Sequence, residues 1–143
     1  ARFLHELANE PSVRGVGAHT KSICWDEHCL WLREHTASAD SALFLIVHES
    51  SRKCGLLRFH RRNRKSWEIG ISISPAVRGE GIGKAALSLG IRQMEGMHGA
   101  SCWLATIRHD NAASIRLFAE MGFECVSEDS DFGHWQRVGP LEC

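Results

Sequence analysis

The stretch Pro75-Ala76-Val77-Arg78-Gly79-Glu80-Gly81-Ile82-Gly83-Lys84-Ala85-Ala86-Leu87 decides how this chain is read. A strand-like run, Trp67 to Ser74, leads into it, and a helix-like run from Gly83 to about Met97 leads out. Gly79, Gly81 and Gly83 alternate where the chain turns from strand to helix. Glycine permits positive φ and lets backbone N–H groups crowd a ligand with no Cβ in the way. Such N–H groups at a helix N-terminus form an anion site, and the helix dipole favours it. The turn is therefore expected to grip a phosphate or pyrophosphate with its backbone. A dinucleotide fingerprint, G-x-G-x-x-G, fails because position 84 is Lys. A P-loop fails because positions 78 and 85 are Arg and Ala. What remains is R-x-x-G-x-G, Arg78 to Gly83.

A second segment lies downstream of the apolar strand candidate Cys102 to Ile107. It runs Asn111-Ala112-Ala113-Ser114-Ile115-Arg116-Leu117-Phe118-Ala119-Glu120-Met121-Gly122-Phe123. Asn111 is a good N-cap. Ile115, Phe118 and Ala119 share one helical face. Gly122 is a helix stop, and Phe123 opens another strand. The two segments lie about one βαβ unit apart. In that order they resemble the acetyl-CoA pyrophosphate loop and the following helix of the GNAT N-acetyltransferase superfamily. The resemblance extends over nearly the whole chain. It implies an α/β fold with a mixed, mostly antiparallel sheet flanked by helices and a splayed pair of strands holding CoA.

Composition sets the bounds. The length of 143 residues suits one domain with one core. Lys+Arg and Asp+Glu balance at 17 each, so no global field suggests nucleic acid or an anionic membrane. No apolar run approaches the ~20 residues of a membrane span. There is no secretory signal or repeat, and a cytoplasmic monomer or homodimer is expected. Six cysteines are scattered, and none forms C-x-x-C. Cys102 and Cys125 sit in apolar runs and are expected to be buried. Cys24, His28 and Cys29 cluster on a helical pattern with Trp25, Leu30 and Trp31. That pattern reads as helix packing, and no metal is expected. Reduced thiols fit this spacing.

Residues 1 to 10 read as the tail of an amphipathic helix, and Ile23 to about His35 as a second helix. Ala42 to Val47 and Cys54 to His60 are strands around a turn at Ser50 to Lys53. Arg61 to Lys65 is a hairpin tip. Trp67, Ile69, Ile71 and Ile73 alternate with Glu68, Gly70 and Ser72, the pattern of a half-buried strand. Helix 83–97, strand 102–107, helix 111–121 and strands 123–128 and 133–138 follow. GNAT domains usually begin with a strand before the first helix, and none is seen here. The chain is thus read as a single domain, residues 1–143, trimmed or belonging to a longer polypeptide. Asn9 to Arg14, Trp25 to Leu32, Gly55 to Phe59 and Glu68 to Ile73 resemble the branch that acetylates nucleotide-linked amino sugars in pseudaminic and legionaminic acid pathways.

The resemblance also implies roles for residues. The pantetheine arm of acetyl-CoA would bond to backbone at Ile71, Ser72 and Ile73. The pyrophosphate would rest on Arg78, Gly79, Glu80, Gly81, Ile82, Gly83 and Lys84. Asn111 would face the pantetheine, with Ser114 assisting and Phe118 beside the thioester. Lys84 and Arg116 are candidates for the outer phosphates, or solvated cations. Glu68 is the candidate base, taking the amine proton directly or through water. Its other reading is a surface carboxylate paired with Arg58. His60 and His109 are lesser candidates. Many GNATs carry Tyr where this chain has Phe118, and the chain contains no Tyr. Many protein acetylators carry Glu where it has Thr106. The basic tip His60 to Lys65 reads as a solvated turn, or as a grip for the diphosphate of an acceptor. It lacks the interleaved aromatics of a nucleic-acid site. The function expected is acetyl transfer to a primary amine of a small molecule, foremost an amino sugar. The alternatives are a protein or peptide N-acetyltransferase and a catalytically weak acyl-CoA-binding module.

Overall fold

The computed structural model describes residues 1–15, 21–50 and 52–139. Among these, α1 (Arg2–Asn9), α2 (Pro11–Arg14) and α3 (Trp25–Ala37) precede the sheet. Then come β1 (Ser41–Val47), β2 (Lys53–Arg61), β3 (Ser66–Ile73), a single 3-10 turn (Pro75–Val77) and α4 (Ile82–His98). The chain continues through β4 (Cys102–Arg108), α5 (Ala112–Glu120), β5 (Glu124–Glu128) and β6 (Phe132–Val138). The six strands lie in the order β1-β2-β3-β4-β6-β5, and only the β3–β4 pair is parallel. This is the mixed, mostly antiparallel α/β sheet that the sequence led us to expect.

The β3–β4 junction positions the site. The two strands pair only at Ser66–Cys102, Trp67–Trp103 and Glu68–Leu104. Beyond Glu68 they part. The remaining length of β3 stays bonded to β2 alone, down to Gly55–Ile73. Trp67 and Trp103 hold the closed end, each with no exposed surface. Around them pack Leu57, Phe59, Ile69, Leu87, Ile91 and Met94, so the core sits between β2–β3–β4 and α4. Gly90 lets α4 press onto the sheet: a Cβ there would lie 2.2 Å from Leu57 Cδ2.

Two short elements escaped the sequence reading. In α2, Pro11 occupies the first turn, where its missing N–H is no loss. Glu10 caps it, its carboxylate accepting from Ser12 N at 2.9 Å. The 3-10 turn likewise begins at a proline, Pro75. The second helix starts at Trp25 rather than Ile23, because Ile23 N–H is held by Asn9 Oδ1 at 2.7 Å and Cys24 is the N-cap.

The cysteine expectations need correction. Cys54, not Cys125, is the buried thiol. Cys125 is exposed because β5 is an edge strand with every residue open to solvent, and Cys102 is half-buried. The five described cysteines are free thiols, and no cluster of metal ligands occurs among the described residues. Cys143 and position 51 of the expected Ser50 to Lys53 turn lie outside the described residues. No helix among the described residues is long and apolar enough to cross a membrane.

Gly55 supplies a test of the splayed edge. A Cβ there would meet the Ser72 carbonyl oxygen at 2.2 Å. Backbone cannot swing aside as a side chain can. Gly55→Ala is therefore expected to displace the end of β3 and cost about 1–3 kcal/mol. Thermal denaturation measures that loss, and acetyl-CoA affinity should fall with it.

Candidate active site

A cleft of roughly 1510 Å³ runs along the gap between β3 and β4 and under α1 to α3. Its donor half is bounded by the glycine turn, the open edge of β3 and the start of α5. Gly79 and Gly81 have φ of 82° and 75°, the left-handed region that favours glycine. No atom lies within 4 Å of a Cβ built on either, so the space beside the turn is open. Gly81 is the N-cap of α4 and offers no side-chain cap. The first turn of a helix has N–H donors without intrahelical partners. Ile82, Gly83 and Lys84 carry them here, at the positive end of a 17-residue helix. The turn thus combines open space with unpaired N–H donors.

The open edge of β3 has its own donors and acceptors. Ser74 N–H bonds to Cys54 O at 2.7 Å. By strand alternation Ser72 also turns its backbone to β2, while Ile71 and Ile73 turn theirs into the gap. Arg78 Nε donates to Ile73 O at 3.2 Å, and its Nη1 donates to Ser12 Oγ at 2.6 Å. The Arg78 side chain thus straps the turn to α2. Glu80 pairs with Arg52 at 3.5 Å on the surface. Across the gap, Asn111 caps α5 and accepts from Ser114 N at 3.2 Å. Both residues line the cleft, as do Lys84 and Arg116.

Phe118 also borders the cleft, yet it is only 2% exposed. Its ring meets Phe123 edge-on with centroids 4.9 Å apart. Phe118→Tyr would put a hydroxyl into this packing. We expect it to cost about 1–3 kcal/mol, as an unpartnered buried hydroxyl does, with no gain in rate. One sample measured for melting temperature and kcat decides. A rate gain without destabilisation would instead place position 118 at the reacting sulfur.

Glu68 stands at the apex of the splay, the last β3 residue paired to β4. Its partner is Arg62, not Arg58: Arg62 Nε donates to Oε2 at 2.6 Å, and Arg62 Nη2 reaches the same oxygen. Oε1 makes no hydrogen bond among the described residues. His60 lines the cleft and touches Ser41 Oγ at 3.4 Å. His109 is turned away, its Nε2 on Asp129 O at 2.8 Å. Arg61, in the basic hairpin, lies 4.9 Å over the Trp67 ring and 3.6 Å from Asp40. Two of the hairpin cations are thus already engaged.

The other half of the cleft lies between the sheet and α1 to α3. Its wall is aromatic: Trp31 stacks on His35 with centroids 4.5 Å apart and on His28 at 6.0 Å. Burial, then the neighbouring His5, holds His28 below the usual histidine pKa, so its ring is neutral at neutral pH. Arg14, Lys21 and Arg58 also line this half. The sequence reading missed this wall and these cations as a group. The expected strand Cys54 to His60 contains Arg58, but only the register shows what faces it.

Comparison with known proteins joins this geometry to a family. The sequence model of the acetyltransferase (GNAT) family matches residues 3–123. The chain belongs to the acetyltransferase (GNAT) family. As a GNAT protein it is an acetyl-CoA-dependent N-acetyltransferase by class. No curated protein sequence matches it. Several solved structures share the GNAT fold. A spermidine N-acetyltransferase from Vibrio cholerae, in complex with CoA and spermine, has a TM-score of 0.86 at 17% identity, over 96% of this chain and 89% of that one. A domain from Methanocaldococcus jannaschii has 0.84 at 22% identity, over 96% and 90%. The Campylobacter jejuni N-acetyltransferase PseH, in complex with acetyl coenzyme A, has 0.72 at 22% identity, over 83% and 82%. At these identities the likeness is one of fold, and it extends both to an enzyme crystallised with a polyamine and to PseH.

Proposed function

We propose that this GNAT protein transfers an acetyl group from acetyl-CoA directly to a primary amine of a small molecule, and that the acceptor is an amino sugar. The observation that carries the choice is the lining of the acceptor half. Of the four carboxylates that line the cleft among the described residues, Glu27 accepts from Cys24 N–H at 3.2 Å, Glu68 from Arg62 and Asp110 from Arg108 at 3.2 Å, while Glu120 ends α5. A polyamine would meet the cations Arg14, Lys21 and Arg58 there, with Glu68 Oε1 the carboxylate oxygen left for a single amine. A sugar ring suits the aromatic wall that Trp31 forms with His28 and His35, and a polar sugar edge suits the cations.

When bound, acetyl-CoA supplies the thioester. The N–H groups of Gly79 to Lys84 hold its pyrophosphate, with the Arg78 side chain bracing the turn. The backbone of Ile71 and Ile73 takes the pantetheine, Ser72 anchors that strand to β2, and Asn111 and Ser114 line the opposite side. Phe118 supports the wall from below. Glu68 Oε1 accepts the amine proton, directly or through one water, as the C–N bond forms and the C–S bond breaks. The thiolate takes its proton from solvent, since the chain has no Tyr to give one. Positioning is the largest service such a cleft performs.

The missing Tyr favours a second reading, an acyl-CoA-binding module with little turnover. Thiol release from acetyl-CoA, measured with sugar amines, spermidine and a peptide amine, separates the two. Release with sugar amines is the expected result. Release with spermidine or the peptide alone would refute the acceptor class, and no release with any amine would favour the binding module.

A further inference from the structure

Among the described residues no carboxylate bonds to Arg58, although the fold has made room for its guanidinium. It lies in the middle of β2, opposite Leu43 on one side and Gly70 on the other. A Cβ at position 70 would come 2.5 Å from Arg58 Nη2 and 3.0 Å from its Cζ and Nε. Gly70 is therefore what lets the flat group lie against the sheet. The Nε atom is sealed from solvent without a hydrogen-bond partner. Among the described residues Arg58 makes no hydrogen bond and no ion pair. The carboxylate on the same face of β3, Glu68, is engaged by Arg62.

A second guanidinium approaches from the opposite wall. Arg14, from α2, is close enough that its charge disfavours the charged form of Arg58. Burial is the larger of the causes that lower the Arg58 pKa, and Glu68 acts in the opposite sense. Arg14 Nε is also buried without a partner, while its Nη1 donates to Lys21 O at 3.2 Å. Two like charges in one cleft, each with a buried Nε that lacks a partner, are unfavourable unless an anion sits between them. Both line the acceptor half of the cleft.

We propose that Arg58, with Arg14, is the specificity-determining anchor for a phosphate carried by the amine acceptor. Paired guanidiniums suit a phosphate because their forked donors match its oxygens. This inference rests on the reading of that half as the acceptor site. It moves the anion grip from the exposed hairpin to the floor of the cleft. Gly70 is part of the device, and α2 closes it from above.

The test compares two acceptors that differ by one group. Glucosamine and its 1- and 6-phosphates are titrated calorimetrically into protein saturated with CoA, and kcat/KM is measured for each with acetyl-CoA. At least one phosphate isomer should bind roughly 10- to 100-fold more tightly than glucosamine, the range for a charge-assisted contact. Arg58→Met should remove that preference while leaving acetyl-CoA affinity unchanged, and Arg58→Lys should restore part of it. Equal binding of all three sugars by the wild-type protein would overturn the proposal. So would an Arg58→Met variant that weakens all three alike. If Arg58→Met fails to fold, the wild-type comparison still decides. Phosphate-selective binding without turnover would keep this anchor and sink the proposed reaction. Equal turnover of all three sugars would keep the reaction and sink the anchor.

Discussion

Glu68→Gln should leave acetyl-CoA affinity unchanged and lower kcat by ~100- to 10,000-fold, the usual worth of a positioned base. The substitution keeps the shape of the side chain and one oxygen to accept from Arg62. It removes a carboxylate that can take a proton. Position matters as much as chemistry, because Glu68 sits where β3 parts from β4, at the head of the cleft. Arg62 occupies Oε2 and leaves Oε1 for the amine or a water. Steady-state kinetics beside a CoA binding isotherm make the measurement. Equal kcat in the two proteins would transfer the role to His60 or to solvent. It would not transfer to His109, whose ring is held by Asp129 O away from the cleft.

Gly81→Val should weaken acetyl-CoA binding by at least the ~1–3 kcal/mol of lost charge-assisted hydrogen bonds. Two causes act together. The native φ of 75° lies in the left-handed region, which costs an L-residue about 1–2 kcal/mol and a β-branched one more. The new side chain would also enter the open space beside the turn, where no protein atom lies within 4 Å of the Cβ. The first cost appears with or without ligand, and the second only with ligand present. Folded Gly81→Val with unchanged CoA affinity would refute the anion role of the turn.

The features legible in the sequence were those that backbone chemistry dictates locally. Of the three alternating glycines read as free to take positive φ, Gly79 and Gly81 do so, while Gly83 lies inside α4. Asn111 does cap α5, and Gly122, at φ 87°, does stop it. Trp67 and Ile69 bury as the alternation required. What was not legible depends on register and reach. The spacing from Arg58 to Glu68 suggested an ion pair, but the hairpin brings Arg62 to the carboxylate first. Arg58 is left facing Gly70, and only the β2–β3 pairing reveals it. Cys125 looked like a core residue because its segment is apolar. The order β4-β6-β5 puts it at the edge of the sheet instead. Pro11 and Pro75 were visible as residues, but the short helical turns they open were too brief to carry a periodic signal.

Acetyl-CoA is proposed to lie in the splayed gap between β3 and β4. A crystal structure of the complex tests it most directly. The account predicts pyrophosphate oxygens within hydrogen-bond distance of backbone N–H groups in Gly79 to Lys84, and pantetheine against Ile71 and Ile73. The thioester should then lie beside Glu68. Acetyl-CoA seated away from the gap, or a gap closed by continued β3–β4 pairing past Glu68, would contradict it.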